Sequence, residues 1–289
     1  MSTRVPRLEA LRSEASRILE TAIEQYQPAA VFALFSGGHD SLTCTHMAAE
    51  ILGERLTGVA HIDTGIGIPE TQQFVKDVCG HYKWPLQIYR ASENTYANGT
   101  PNPQVYEEII LEHGFPGGPA HQFMYTRLKG RQVERLVRDY RGKRGNKVML
   151  ITGVRREEST RRMGTVREVN VVSGGQVWVA PMINVTSQDQ HDYMAACELP
   201  RSPVKEKLCM SGECLCGAFA HRGELAEIAY WYPDVADRIH RLEQAVLAKH
   251  GRTNGWEGRD DDFKYNRQGF LPLCVGCEQR AELASVVAP

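Results

Sequence analysis

The stretch from Phe35 to Cys44, FSGGHDSLTC, constrains this chain most strongly. It follows the apolar run AAVFALF and precedes HMAAEIL, so a strand passes into a helix through two glycines and two serines. In an open parallel sheet such a turn lies at the carboxyl end of a strand, where ligands bind. Gly37 and Gly38 let backbone N–H groups approach an anion with no Cβ in the way. The helix N-terminus adds partial positive charge, and Ser36 and Ser41 add hydroxyl donors. Asp40 is the odd member, because a carboxylate repels phosphates. It fits as a helix cap or as a holder of a magnesium ion. The run matches neither G-x-x-x-x-G-K-S/T nor G-x-G-x-x-G, which argues against an ordinary P-loop NTPase or a dinucleotide site.

The surrounding pattern supports a parallel sheet. Apolar residues at helical spacing predict a helix over residues 8–26. Strands are predicted over 29–35, 56–63, 85–90, 147–154 and 176–183. Helices are predicted over 40–52, 70–82, 105–112 and 122–140. Strands alternating with helices imply helices on both sheet faces. After about Pro200 the alternation stops, cysteines cluster, and two further helices follow over 224–232 and 235–251. The expected organisation is an N-terminal helix (1–27), a sheet domain (28–200) and a Cys-rich, mainly helical region (201–289).

The turn SGGHDS resembles the PP-loop, S-G-G-x-D-S, of the N-type ATP pyrophosphatases, which cleave ATP between the α- and β-phosphates and adenylylate a substrate. HIDTGIGIPET (61–71) is similar to the D-T-G-x-x-F-P-E-T segment of the PAPS reductase branch of that superfamily. GVRREESTRR (153–162) resembles its G-x-R-R-x-x-S-x-x-R segment. The resemblance covers roughly residues 28–185. It implies the adenine nucleotide α-hydrolase-like, Rossmann-like fold, with five parallel strands. It implies that ATP and Mg2+ are held by Ser36, Gly37, Gly38, Asp40, Ser41, Asp63, Thr64, Gly153, Arg155 and Arg156. Ser36, Asp40, Arg155 and Arg156 are the expected catalytic residues, with Arg161 and Arg162 as further candidates. The arginine fork suits phosphate oxygens. Arg127, Lys129 and Arg131 are also expected near acidic groups, although helical spacing keeps all three from serving one site.

Five of the eight cysteines lie late in the chain. Cys214, Cys216, Cys274 and Cys277 are the expected metal ligands. Cys209 is a reserve ligand or a persulfide carrier. Four thiolates suit tetrahedral zinc or a 4Fe–4S cluster. A C-x-C pair is tight for one small ion, and relatives of the PAPS reductase branch in sulfur transfer often carry clusters, so the cluster is preferred and Zn2+ is the alternative.

These readings converge on an ATP-dependent sulfurtransferase that adenylylates an acceptor. The resemblance extends to iron–sulfur sulfurtransferases of DNA phosphorothioation systems, with a DNA backbone phosphate as one acceptor and a cysteine desulfurase as one sulfur donor. Two alternatives stand beside it. One is a PAPS or APS sulfonucleotide reductase, although this chain lacks the family's C-terminal E-C-G-L-H nucleophile. The other is a nucleotide-binding subunit without turnover. A net charge of -1 does not itself predict a nucleic-acid partner, but Arg127 to Lys147 carries nine basic residues against two acids and suits phosphates. No apolar run approaches the roughly 20 residues of a membrane span. With no signal-peptide pattern at its start, the chain reads as cytoplasmic. The acceptor and the oligomeric state are left open.

Overall fold

The computed structural model describes residues 4–96, 98–158, 166–251 and 254–257. Six strands form one sheet: β1 (Ala30–Leu34), β2 (Gly58–Asp63), β3 (Leu86–Arg90), β4 (Val148–Ile151), β5 (Val169–Val172) and β6 (Gln176–Val179). Their spatial order is β3-β2-β1-β4-β6-β5. Five are parallel, as the sequence leads one to expect, and β5 pairs antiparallel with β6. The sixth strand departs from the expectation of five. Val171 and Val172 are exposed at the sheet edge, so the strand lacks the buried apolar run that marks a parallel strand.

The chain winds outward from β1 in both directions. β2 and β3 lie on one side, and β4 and β6 on the other. The reversal puts a crevice between the carboxyl ends of β1 and β4, the usual ligand position in such sheets.

Helices cover both faces. On one face, α1 (Arg4–Tyr26) and α2 (His39–Leu52) lie over the sheet. In α1, Leu11, Ala15, Ile18, Leu19 and Ala22 fall on one stripe and are buried. They join Met47, Val75, Met149, Ile151 and Val179 in one core that also draws on α3 (Pro69–His81). On the other face, one long helical stretch contains α5 (His121–Tyr125), a π-helical turn (Thr126–Gly130) and α6 (Arg131–Tyr140). There Val133, Leu136 and Val137 pack on Phe32, Val148 and Leu150.

A third core gathers α4 (Tyr106–His113) with the region after residue 200. That region begins after α7 (Ser187–Ala196). It contains α8 (Pro203–Leu208), α9 (Glu224–Trp231) and α10 (Pro233–His250). Ile66 and Ile68 from the β2–α3 loop belong to the same core as Leu215, Ile228 and Trp256. Arg238 of α10 donates to the Gly65 carbonyl at 2.7 Å and pairs with Glu107.

Sequence patterning did not mark α7 or α8. Both start on side-chain caps, Thr186 in a capping box with Asp189, and Ser202. Asp189 also receives two hydrogen bonds from Arg7, at 2.9 and 2.7 Å. That Arg7 contact, against some opposing burial, holds the Asp189 carboxyl down at about 2 and ties α1 to α7. Among the described residues, no helix is long and apolar enough to cross a membrane.

Candidate functional site

The glycine turn forms the floor of a cleft of about 440 Å³ at the ends of β1 and β4. Gly37 has φ +85°, a conformation that side chains rarely adopt. Ser41 Oγ donates to the Gly38 carbonyl at 2.9 Å and accepts from the Ser36 amide at 3.2 Å. The Ser36 and Ser41 hydroxyls lie 3.0 Å apart. Gly38 is the N-cap of α2 and makes no side-chain cap, so the first turn of the helix opens on the cleft. Ser36, Gly38, His39, Asp40, Ser41 and Gly153 all line the cavity. A Cβ on Gly153 would lie 2.6 Å from the Asp40 carbonyl oxygen, so only glycine lets β4 end against the start of α2.

The two motif arginines part company. Arg155 is buried, and its Nε donates to Asp40 Oδ1 at 2.7 Å. Its Nη1 reaches Glu157 at 3.2 Å and Ser187 Oγ at 3.3 Å. Glu157 in turn accepts from the backbone amide of Ser187, the first residue of α7. Arg155 therefore anchors Asp40 from behind. Arg156 is exposed and donates to Asn184 at 2.5 Å, and Asn184 donates to Glu14 of α1. Neither guanidinium is among the residues lining the cleft: Arg155 lies behind Asp40, and Arg156 faces Asn184 and α1. Arg161 and Arg162 lie outside the described residues.

Asp63 and Thr64 are both engaged within the protein. Asp63 accepts from the Gly65 amide at 2.9 Å and from Gln72 Nε2 at 2.8 Å, closing its own turn. Thr64 is buried and donates to the Glu213 carbonyl at 3.0 Å. Thr71 donates to the Ser211 carbonyl at 2.7 Å. Backbone bonds add Ile68 N to Gly212 O at 2.7 Å and Leu215 N to Ile66 O at 2.9 Å. The HIDTGIGIPET segment thus clamps the SGECLC segment beside the cleft. Sequence reasoning missed this contact, because its partners lie about 140 residues apart and neither segment carries a pairing signal.

The clamped segment puts Cys214 and Cys216 on a second cavity, of about 350 Å³. Cys209, in the left-handed conformation at φ 55°, lines it too. Trp256 Nε1 donates to the Leu215 carbonyl at 2.7 Å, and Tyr106 donates to the Cys216 carbonyl at 3.2 Å. A hydrogen bond from the Cys214 thiol draws Cys216 down to about 6 against the cost of burial, and the same bond raises Cys214. The remaining early thiols differ. Cys44 and Cys79 are buried in the core, and burial pushes both up, Cys79 to about 12.

Tyr125 and Lys129 line both cavities. Lys129 Nζ meets Glu213 Oε2 at 2.8 Å. Burial works against the Lys129 charge, but Glu213 and the thiols outweigh it and its pKa is raised. The π-helical turn sets this register, and such turns often mark functional positions. Of the three cations expected near acidic groups, Lys129 is the one lining the cavities. The Arg127 guanidinium stacks 3.5 Å from the Phe123 ring centroid.

The two thiols, in contact on a C-x-C turn against a cavity, are soft donors of the kind that thiolate-bound centres use. Among the described residues, no group of three or more His, Cys, Asp or Glu side chains is arranged to hold a metal ion. Cys274 and Cys277 lie outside the described residues.

Comparisons with known proteins follow the same lines. An uncharacterized protein of Methanocaldococcus jannaschii is 25% identical over 228 residues, 78% of this chain and 44% of that protein. The chain therefore spans less than half the length of that relative. Among solved structures, the phosphoadenylyl-sulfate reductase of Candida auris in a phosphate complex aligns with a TM-score of 0.48 and 17% identity, over 71% of this chain and 93% of that one. The FMN adenylyltransferase of Candida glabrata, with FAD and pyrophosphate, gives 0.49 and 10%, over 72% and 63%. The NH3-dependent NAD synthetase of Campylobacter jejuni gives 0.47 and 12%, over 85% and 97%. The phosphoadenosine phosphosulfate reductase domain matches residues 30–215, which takes in the glycine turn, its anchoring arginine and the clamped segment as far as Leu215; the chain belongs to that family.

Proposed function

We propose that this chain is an ATP pyrophosphatase-type sulfurtransferase. ATP lies on the turn formed by Ser36, Gly37, Gly38 and Ser41, with its phosphates at the N-terminus of α2. Asp40, steadied by Arg155, would hold a magnesium ion, which would partly neutralise the phosphates. An acceptor oxygen attacks the α-phosphorus, the α–β bridging P–O bond breaks, and pyrophosphate leaves. Sulfur at the hydrosulfide level then displaces AMP from the adenylylated acceptor. A persulfide donor requires a thiol reductant to supply two electrons. Positioning and charge neutralisation provide most of the rate.

A 4Fe–4S cluster or a zinc ion bound by Cys214, Cys216, Cys274 and Cys277 would supply a soft centre for sulfur. Cys209 stands on the same cavity as a reserve ligand or persulfide carrier. The observation that carries the reading is the shared wall: Tyr125 and Lys129 belong to both the phosphate cleft and the thiol cavity. The proposed acceptor is a nucleic acid, with a DNA backbone phosphate as the leading case.

The test is anaerobic incubation with ATP, magnesium, a sulfide donor and either DNA or tRNA, followed by mass spectrometry for added sulfur. Sulfur on the nucleic acid is the expected result, with iron in the purified protein that Cys214→Ser and Cys216→Ser remove. Thioredoxin-dependent sulfite release from PAPS, with no sulfur added, identifies a reductase instead. ATP binding without pyrophosphate release identifies a non-catalytic subunit.

A further inference from the structure

The phosphate cleft extends beyond the nucleotide turn. Its lining has two arms that meet at Ser36 to Ser41. One arm runs over β1 and β2 past Leu34, Ala60 and Ile62 and is roofed by Tyr125 and buried Val133. The other runs over β4 and β6 past Thr152 and Val154 to Trp178. Trp178 is half-buried at the margin of the core beneath α6. Its indole N–H donates to Gln176 Oε1 at 2.9 Å, which restrains the ring.

The second arm opens at the sheet edge. In the antiparallel register Asn170 pairs with Trp178 and Val172 with Gln176, so these four side chains share one face. Asn170 and Val172 are exposed. At the far end, Arg141 donates to the Gly174 carbonyl in the β5–β6 turn, and the Val148 amide donates to Gly175. The basic loop carrying exposed Lys143 and Arg144 therefore flanks that turn. An aromatic ring with amide side chains beside it lies between a basic loop and a phosphate-binding turn.

We infer that the β6–β5 edge, beside the part of the sheet that α6 covers, seats a single strand of nucleic acid, with one base stacked on Trp178 and backbone phosphates on Lys143 and Arg144. Base–aromatic stacking combined with a cationic track is how proteins hold single strands. The inference rests on the reading of the acceptor as a nucleic acid and adds the surface and residues that hold it.

The experiment measures binding of a short fluorescent single-stranded deoxyoligonucleotide by anisotropy, and ATP binding separately by equilibrium dialysis. Trp178→Ala is expected to weaken oligonucleotide binding roughly tenfold, and to weaken it more than ATP binding, since Trp178 also lines the cleft. Trp178→Phe keeps a stacking face and stays near wild type, so it guards against a folding artefact. Lys143→Ala with Arg144→Ala is expected to flatten the dependence of log affinity on log salt by about 1.4, as for two lost phosphate contacts on a single strand. Equal oligonucleotide affinity in wild type and Trp178→Ala overturns the inference, as does failure of the wild type to bind oligonucleotide while it binds ATP. Loss of sulfur transfer with oligonucleotide binding intact overturns the proposed function instead.

Discussion

Arg155→Met is expected to cost about 2 kcal/mol of stability and to lower pyrophosphate release about 100-fold, whereas Arg156→Met leaves both near wild type. The two side chains are neighbours in sequence with opposite surroundings. The Arg155 side chain is 8% exposed and meets Asp40 and Glu157, which are 36% and 47% exposed. Removing one member of a fully buried pair costs more, because the remaining charge stays dry. Here the two carboxylates regain water, which reduces the penalty. The catalytic loss is larger. Asp40 lines the cleft, and Arg155 Nε fixes its Oδ1 at 2.7 Å. Without that anchor the carboxylate moves relative to the phosphates, and a displacement of about 1 Å is enough for a loss of this size. Among the described residues Arg156 has its exposed contact with Asn184 to lose, and exposed contacts contribute little. Urea unfolding and a pyrophosphate assay on the two variants check both halves.

The second large effect falls on the wall between the cavities. Lys129→Met is expected to destabilise the protein by about 3 kcal/mol, because the Glu213 carboxylate that it leaves is only 9% exposed. Glu213→Gln is milder, since Lys129 is 29% exposed and can regain water. The double variant Lys129→Met/Glu213→Gln is expected to be more stable than Lys129→Met alone, because no dry, unpaired charge remains. A double-mutant cycle by urea unfolding reads the coupling directly. Additive losses would mean that the two groups do not share the ion pair. Glu213 lies next to Cys214 and within the clamp, since its carbonyl accepts from Thr64.

How far the sequence was legible follows from what each signal encodes. The glycine turn could be read because its chemistry is local: backbone N–H groups, two hydroxyls and a helix start all fall within six residues, Ser36 to Ser41. The parallel strands could be read because burial on both faces leaves short apolar runs such as VMLI, all of it buried. β5 could not, because it is an exposed edge strand. The helix α7 is equally faint, since its buried positions include the ion-paired Asp189. The arginine motif fixed residue types and left side-chain direction open, which is why Arg155 and Arg156 look equivalent in sequence. The junction of HIDTGIGIPET with SGECLC is a tertiary pairing and has no local trace. The register of Lys129 depends on a π-helical turn that regular helical spacing does not foresee.

The central claim is that ATP is cleaved between its α- and β-phosphates on the Ser36 to Ser41 turn. Its most direct measurement uses ATP labelled at the α-phosphorus, incubated with magnesium, sulfide donor and nucleic acid, with all products separated. Label is expected in AMP and in an adenylylated acceptor, with unlabelled pyrophosphate released in an amount equal to their sum. Label in ADP with release of orthophosphate, or ATP that binds and is recovered intact, would contradict it.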